Sequence, residues 1–126
     1  MKIYVSHAKS FDYVSELYEP LKDSKLPVEF IFPHEEGSDP YDSKLLMERH
    51  GCDYVLAEVS LPATGQGIEL GWADAYKMPI ICFYKSGTTP AGSLKVITDR
   101  IIEYFDEKDF VNKVIMEFGL DPALCL

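Results

Sequence analysis

The chain has 126 residues, 47% of them hydrophobic, and a formal net charge of −9. That length fits one domain around one core, and eight Tyr, seven Phe and one Trp offer enough apolar surface to offset the entropy of ordering. The acidic balance, with no run of Lys or Arg, excludes a grip on a phosphate backbone, so polymeric nucleic acid is not an expected partner.

Lys2 to Ser6 is a short apolar opening strand. From Ser10 to about Lys25, Phe11, Val14, Leu17, Tyr18 and Leu21 recur at helical spacing. Pro20 lies inside that pattern and should kink or split the helix, because it has no N–H to donate. Pro27 to Phe32 reads as the second strand, and PHEEGSDPYDS as a loop leading into a helix that Asp42 or Ser43 can cap. That helix is expected to end near His50-Gly51, with Gly51 in the left-handed conformation.

Asp53 to Val59 and Met78 to Tyr84 are dense apolar runs, as expected of strands covered on both faces. Gly67 to Tyr76 between them is a predicted helix. A last strand near Arg100 to Phe105 precedes a helix from Glu107 to Phe118, with Phe110, Val114, Ile115 and Phe118 on its apolar face. Strand and helix alternate throughout, which predicts one α/β domain over residues 1–126. The expected architecture is a flavodoxin-like or Rossmann-like doubly wound sheet of five parallel strands, order 2-1-3-4-5, with helices on both faces.

In such a sheet the ligand crevice opens where the strand order reverses, outside the carboxyl ends of strands 1 and 3. That rule selects Ser6-His7-Ala8-Lys9 and the loop Ser60 to Gly67, which carries Ala63, Thr64, Gly65 and Gly67 just ahead of Glu69. Glycines permit close backbone approach, and a helix start offers unpaired N–H groups to an anion. A small nucleotide therefore remains a possible ligand despite the acidic charge. Glu69 at such a crevice is a candidate nucleophile or base, although Glu is also common in first helical turns for capping and dipole reasons. His7 can donate to a ligand or act as an acid near neutral pH, or can equally be a satisfied loop residue.

Cys52, Cys82 and Cys125 are an odd number without CxxC spacing, and the opening MKIYVSH enters a strand pattern instead of a signal peptide. The expectation is a reduced, cytoplasmic protein. The longest apolar runs are far shorter than the ~20 residues a membrane helix needs, so no membrane role is expected. His34 and His50 are isolated, and no metal and no cofactor are expected.

Residues 52–87, CDYVLAEVSLPATGQGIELGWADAYKMPIICFYKSG, resemble the nucleoside 2-deoxyribosyltransferase superfamily, and within it the deoxynucleoside 5′-monophosphate N-glycosidase pattern most closely. The matching positions are Asp53, Ala57-Glu58-Val59, Pro62, Gly65, Gly67, Glu69-Leu70-Gly71, Ala73 and Pro79. The resemblance implies cleavage or transfer at the N-glycosidic bond of a small nucleoside or nucleotide, with Glu69 attacking the anomeric carbon and Tyr4 at the sugar end of the site. With the crevice rule above, Ser6, His7, Ala63, Thr64, Gly65 and Gly67 are the expected lining of the substrate site. Ser93 would reach the phosphate site of a neighbouring subunit, hence a homodimer or higher homo-oligomer; on sequence alone it is as readily an ordinary helix cap. Trp72 and Tyr76 either pack at that interface or fill the core.

The chain departs from the pattern in three places. His7-Ala8 replaces a glycine-led pair, and Ala63 stands where a hydroxyl is usual, with Thr64 one residue later. Leu45 aligns with the acidic residue that helps the base depart, Asp42 and Glu48 lying about one turn to either side. These departures motivate an alternative, a nucleotide-binding or regulatory module that has lost turnover. A third reading, a cytokinin-activating nucleotide hydrolase, lacks its double-glycine motif here. Flavin-binding or purely structural roles are compatible with the fold but have no motif in their favour.

Overall fold

A computed structural model describes residues 1–35 and 41–120. Its sheet has five parallel strands: β1 (Lys2–His7), β2 (Glu29–Ile31), β3 (Tyr54–Glu58), β4 (Ile80–Lys85) and β5 (Ile101–Tyr104). They lie in the order β2-β1-β3-β4-β5, the order expected from the alternating pattern. The tail after residue 120, with Cys125, and part of the PHEEGSDPYDS loop lie outside the described residues.

Residue parity along the strands decides which core each side chain enters. Ile3, Val5, Leu56, Ile81 and Phe83 face one side, where Leu17, Tyr18, Leu21, Phe110 and Val114 cover them. Tyr4, Val55, Ala57, Ile80 and Cys82 face the other, against Met47, Leu70 and Ala73. Each fully buried large side chain contributes on the order of 1.5–3 kcal/mol. The first layer comprises a helical segment (Val14–Asp23) and α4 (Glu107–Glu117); the second comprises α2 (Ser43–Glu48) and α3 (Thr64–Ala75). Cys52 and Cys82 are buried free thiols, and desolvation pushes them up to about 11 and about 12, so they behave as small core residues.

Several elements differ from the sequence reading. The first helix is split: Val14–Tyr18 is a wide π-helical turn, and α1 (Glu19–Asp23) follows it with Pro20 at its start. The wide turn brings the Glu19 N–H to the Val14 carbonyl, just ahead of the one residue that cannot donate. Asp42 caps α2, accepting from the Leu45 N–H at 3.0 Å. At the other end of α2 the left-handed residue is His50 (φ 50°), not Gly51. Gly51 is the next residue, donating to the Leu46 carbonyl at 2.8 Å in a Schellman-type closure. A Cβ there would lie 2.5 Å from Leu46 Cδ1, so a side chain at this position would require that methyl end to move.

The largest difference concerns α3, which begins at Thr64, three residues before the predicted Gly67. Ala63 is its N-cap residue, extended at φ −152°, with no side-chain hydrogen bond. Glu69 therefore sits in the second turn instead of the first, where the helix dipole has largely faded. What holds Glu69 must be sought elsewhere.

Candidate active site

The holders of Glu69 are on β1. The Tyr4 phenol donates to Glu69 Oε2 at 2.6 Å, and the Ser6 hydroxyl donates to Oε1 at 3.0 Å. Tyr4 and Ser6 are two apart on one strand, so both project to the side on which α3 packs. Burial first, then the Glu69 charge and its hydrogen bond, hold the Tyr4 phenol far above its ordinary range, so it stays a donor. Both carboxylate oxygens are thus oriented by hydroxyl groups of the central strand.

Glu69 is partly buried and opens onto a cavity of about 600 Å³. His7, Ala63, Thr64, Gly65 and Glu69 line it together, whereas Tyr4 and Ser6 are not in its wall and reach it through Glu69. Gly67 and Ser93 border a different cleft of about 390 Å³ across the same loop, with Leu61, Pro62 and Leu94. Ser93 lies inside a 3₁₀ turn (Gly92–Val96) whose N-cap is Ala91, so it does not cap a helix. Within one chain, then, Ser93 and Gly67 do not line the Glu69 cavity.

His7 ends β1, 5% exposed. Its Nδ1 donates to the Ala8 carbonyl at 2.9 Å, because a carbonyl can only accept, and that fixes Nε2 as acceptor of the Tyr18 hydroxyl at 2.7 Å. The Tyr18 oxygen in turn accepts the His34 backbone N–H at 3.2 Å. Desolvation lowers the His7 imidazole to about 4, keeping it neutral. Both ring nitrogens are engaged within the fold.

Sequence reasoning missed Ser10, His34, Tyr41, Ser43 and Ile68 in the cavity wall and had Trp72 as core or interface. Trp72 follows from helical spacing, three residues after Glu69, and Ile68 lies one turn before Trp72. His34 and Tyr41 come from the loop after the edge strand β2, which the switch-point rule does not select. Lys9, also in the wall, brings a positive charge. Asp42 and Glu48, which flank Leu45 in the sequence at the place of the expected acid, are exposed and absent from this wall.

A second buried carboxylate underlies the loop. Glu58, 1% exposed, accepts from the Ser60 N–H at 2.6 Å, the Ser60 hydroxyl at 2.9 Å and the Tyr104 hydroxyl. Ser60 also accepts the Lys85 N–H at 2.8 Å, and the Gln66 amide donates to the Glu58 carbonyl at 2.8 Å. Desolvation raises the Glu58 carboxyl above its ordinary range. The network ties β5 and β4 to the first turn of α3. Among the described residues, no cluster of three or more His, Cys, Asp or Glu is placed to hold a metal, and no helix is long and apolar enough to cross a membrane.

No protein-family model matches the chain. A putative 2′-deoxynucleoside 5′-phosphate N-hydrolase 1 from Methanosarcina barkeri (strain Fusaro / DSM 804) is 29% identical over 70 residues. The match spans 54% of this chain and 44%, less than half, of that relative's length. Among solved structures, the CMP N-glycosidase BcmB of Clostridium botulinum superposes with a TM-score of 0.61 at 22% identity, covering 90% of this chain and 98% of that one. The 2-deoxyribosyltransferase of Bacillus psychrosaccharolyticus gives 0.57 at 21% identity, covering 89% and 91%. At those identities the two structures establish the fold, a deoxyribosyltransferase-like α/β sheet. The resemblance of this chain to the nucleoside 2-deoxyribosyltransferase superfamily thus has the support of sequence over 70 residues and of fold over most of its length.

Proposed function

We propose that this protein is an enzyme that cleaves, or transfers the sugar at, the N-glycosidic bond of a small nucleoside or nucleotide, with Glu69 as nucleophile. The observation that carries the reading is the pair of hydroxyl bonds from Tyr4 and Ser6 to the Glu69 carboxylate at the edge of a cavity of about 600 Å³. A carboxylate held in place can attack an oxocarbenium-like anomeric carbon without first paying to be oriented. Trp72, Tyr41 and Ile68 give the cavity an aromatic and apolar side for a planar base. Lys9, Ser10 and the first N–H groups of α3 supply donors for a 5′-phosphate.

On this reading residues 1–126 work as a single nucleoside 2-deoxyribosyltransferase-like domain in the cytoplasm. Ser93, which does not line the Glu69 cavity of its own chain, serves the site of a second copy in a homodimer or higher homo-oligomer. The relatives' activities, on 2′-deoxynucleoside 5′-phosphates, on CMP and in deoxyribosyl transfer, support this class of substrate.

The test is chromatographic release of free base from panels of nucleosides and 5′-monophosphates, by the protein and by Glu69→Gln, with and without a second base. Release abolished by Glu69→Gln is expected; sugar transfer to the added base would mark a transferase. The absence of Asp42 and Glu48 from the cavity wall favours a second reading, a nucleotide-binding module without turnover. Saturable binding with no base released across both panels would replace the first reading by the second.

A further inference from the structure

If Glu69 attacks the sugar, the departing base still needs a proton, and neither Asp42 nor Glu48 lines the cavity to give one. Among the described residues, the ionisable groups that do are His7, Lys9, His34, Tyr41 and Glu69. Glu69 is the nucleophile on the reading above. His7 has both ring nitrogens engaged and stays neutral down to about pH 4. Lysine ammonium and phenol groups ordinarily titrate near 10, which makes them weak acids for a reaction near neutrality, whereas an imidazole is matched to it.

The backbone of His34 is tied to the same strand that orients the nucleophile. Its N–H donates to Tyr18, the Tyr18 hydroxyl donates to His7, and His7 follows Tyr4 and Ser6 on β1. Its ring packs edge-on to the His7 ring at 5.1 Å between centroids and lies 6.0 Å from the Tyr13 ring. Among the described residues, the ionisable side chains near it are His7 on β1, Tyr13 and Tyr18 on the helical segment, Glu35 next to it in the chain, and Lys9, Tyr41 and Glu69 in the same cavity wall.

We propose that His34 is the general acid of this site, protonating the leaving base in the part of the acidic residue whose place falls to Leu45. This deepens the reading above and rests on it. As the C1′–N bond breaks, its electron pair passes to the base. A ring N–H of the His34 imidazolium gives its proton to that base while a Glu69 oxygen bonds to C1′. In the second step water attacks C1′, the ester bond to Glu69 breaks, and the proton released by water returns to His34.

The experiment compares His34→Gln with the unsubstituted protein on two substrates: a nucleotide that the panels identify, and an analogue whose base leaves with less need of a proton. The analogue is N7-methylated for a purine and 5-fluorinated for a pyrimidine. On the ordinary substrate His34→Gln is expected to lose about 10²–10⁴-fold in kcat and the fall in rate at high pH. On the analogue it should retain most of its activity, which also shows that it is folded. Equal losses on both substrates, no loss on either, or a high-pH fall that survives the substitution would overturn the assignment. If the unsubstituted protein cleaves neither substrate, the glycosidic reading itself fails, and the two failures are told apart.

Discussion

Tyr4 and Glu69 lie 65 residues apart in the chain, yet the phenol of one is 2.6 Å from the carboxylate of the other. A hydrogen bond to a charged group contributes about 1.5–3 kcal/mol, so Tyr4→Phe should reduce kcat for base release by roughly 10–100-fold while the protein stays folded. Ser6→Ala acts on the other oxygen of the same group. The double substitution should therefore depart from additivity by more than about 0.5 kcal/mol in a kinetic cycle. Additive effects would mean that the two hydroxyls do not act through one carboxylate.

His7 predicts a pH dependence of stability. Its folded value of about 4 lies below the ordinary 6.5, so between these values the unfolded chain binds more protons and stability rises with pH. The shift corresponds to about 3 kcal/mol at most, acquired between about pH 4 and pH 6.5. Urea denaturation across that range should show the rise, and His7→Gln should remove it. An imidazole signal of His7 titrating near 6.5 by NMR would refute the assignment.

Glu58 predicts a structural defect. Glu58→Ala strips the Ser60 and Tyr104 hydroxyls and the Ser60 N–H of their shared acceptor inside the protein. Each buried group left unsatisfied costs about 1–3 kcal/mol, so a loss of at least 3 kcal/mol in urea unfolding is expected, with more rapid proteolysis of the loop before α3. A loss under 1 kcal/mol would show that water replaces the carboxylate.

His50 predicts a gain. It holds φ 50° at the end of α2, is exposed, and has no helix-closing role that glycine would not fill. His50→Gly should raise stability by about 0.5–1 kcal/mol in the same denaturation measurement, net of the freedom glycine adds to the unfolded chain. The opposite sign would mean that the imidazole contributes contacts of its own.

The sheet was legible because each strand is a compact apolar run between breakers, and parallel strands joined by helices leave few arrangements. Helix ends were less so. α3 starts on Ala63-Thr64-Gly65, residues without a capping signal of the usual kind, so periodicity alone set its start three residues late. That Glu69 lies at a crevice was legible from its loop, but the reason it is held was not, since Tyr4 and Ser6 meet it only through strand-on-helix packing. His34 and Tyr41 escaped because their loop follows an edge strand and carries no motif. Pro20 shows the converse: the break was readable in one residue, although its form, a widened turn before the proline, was not.

The glycines of α3 carry a last consequence. A Cβ added at Gly65, Gly67 or Gly71 would meet no protein atom within 4 Å, so the protein's own packing does not demand any of the three. Each nevertheless weakens the helix by about 1 kcal/mol relative to alanine. The segment that bears Glu69 is therefore intrinsically a weak helix former, and it depends on its neighbours for its shape. Amide hydrogens in its first two turns should exchange sooner than those of β3 or β4, and slow down when a ligand fills the space that the missing methyl groups leave open.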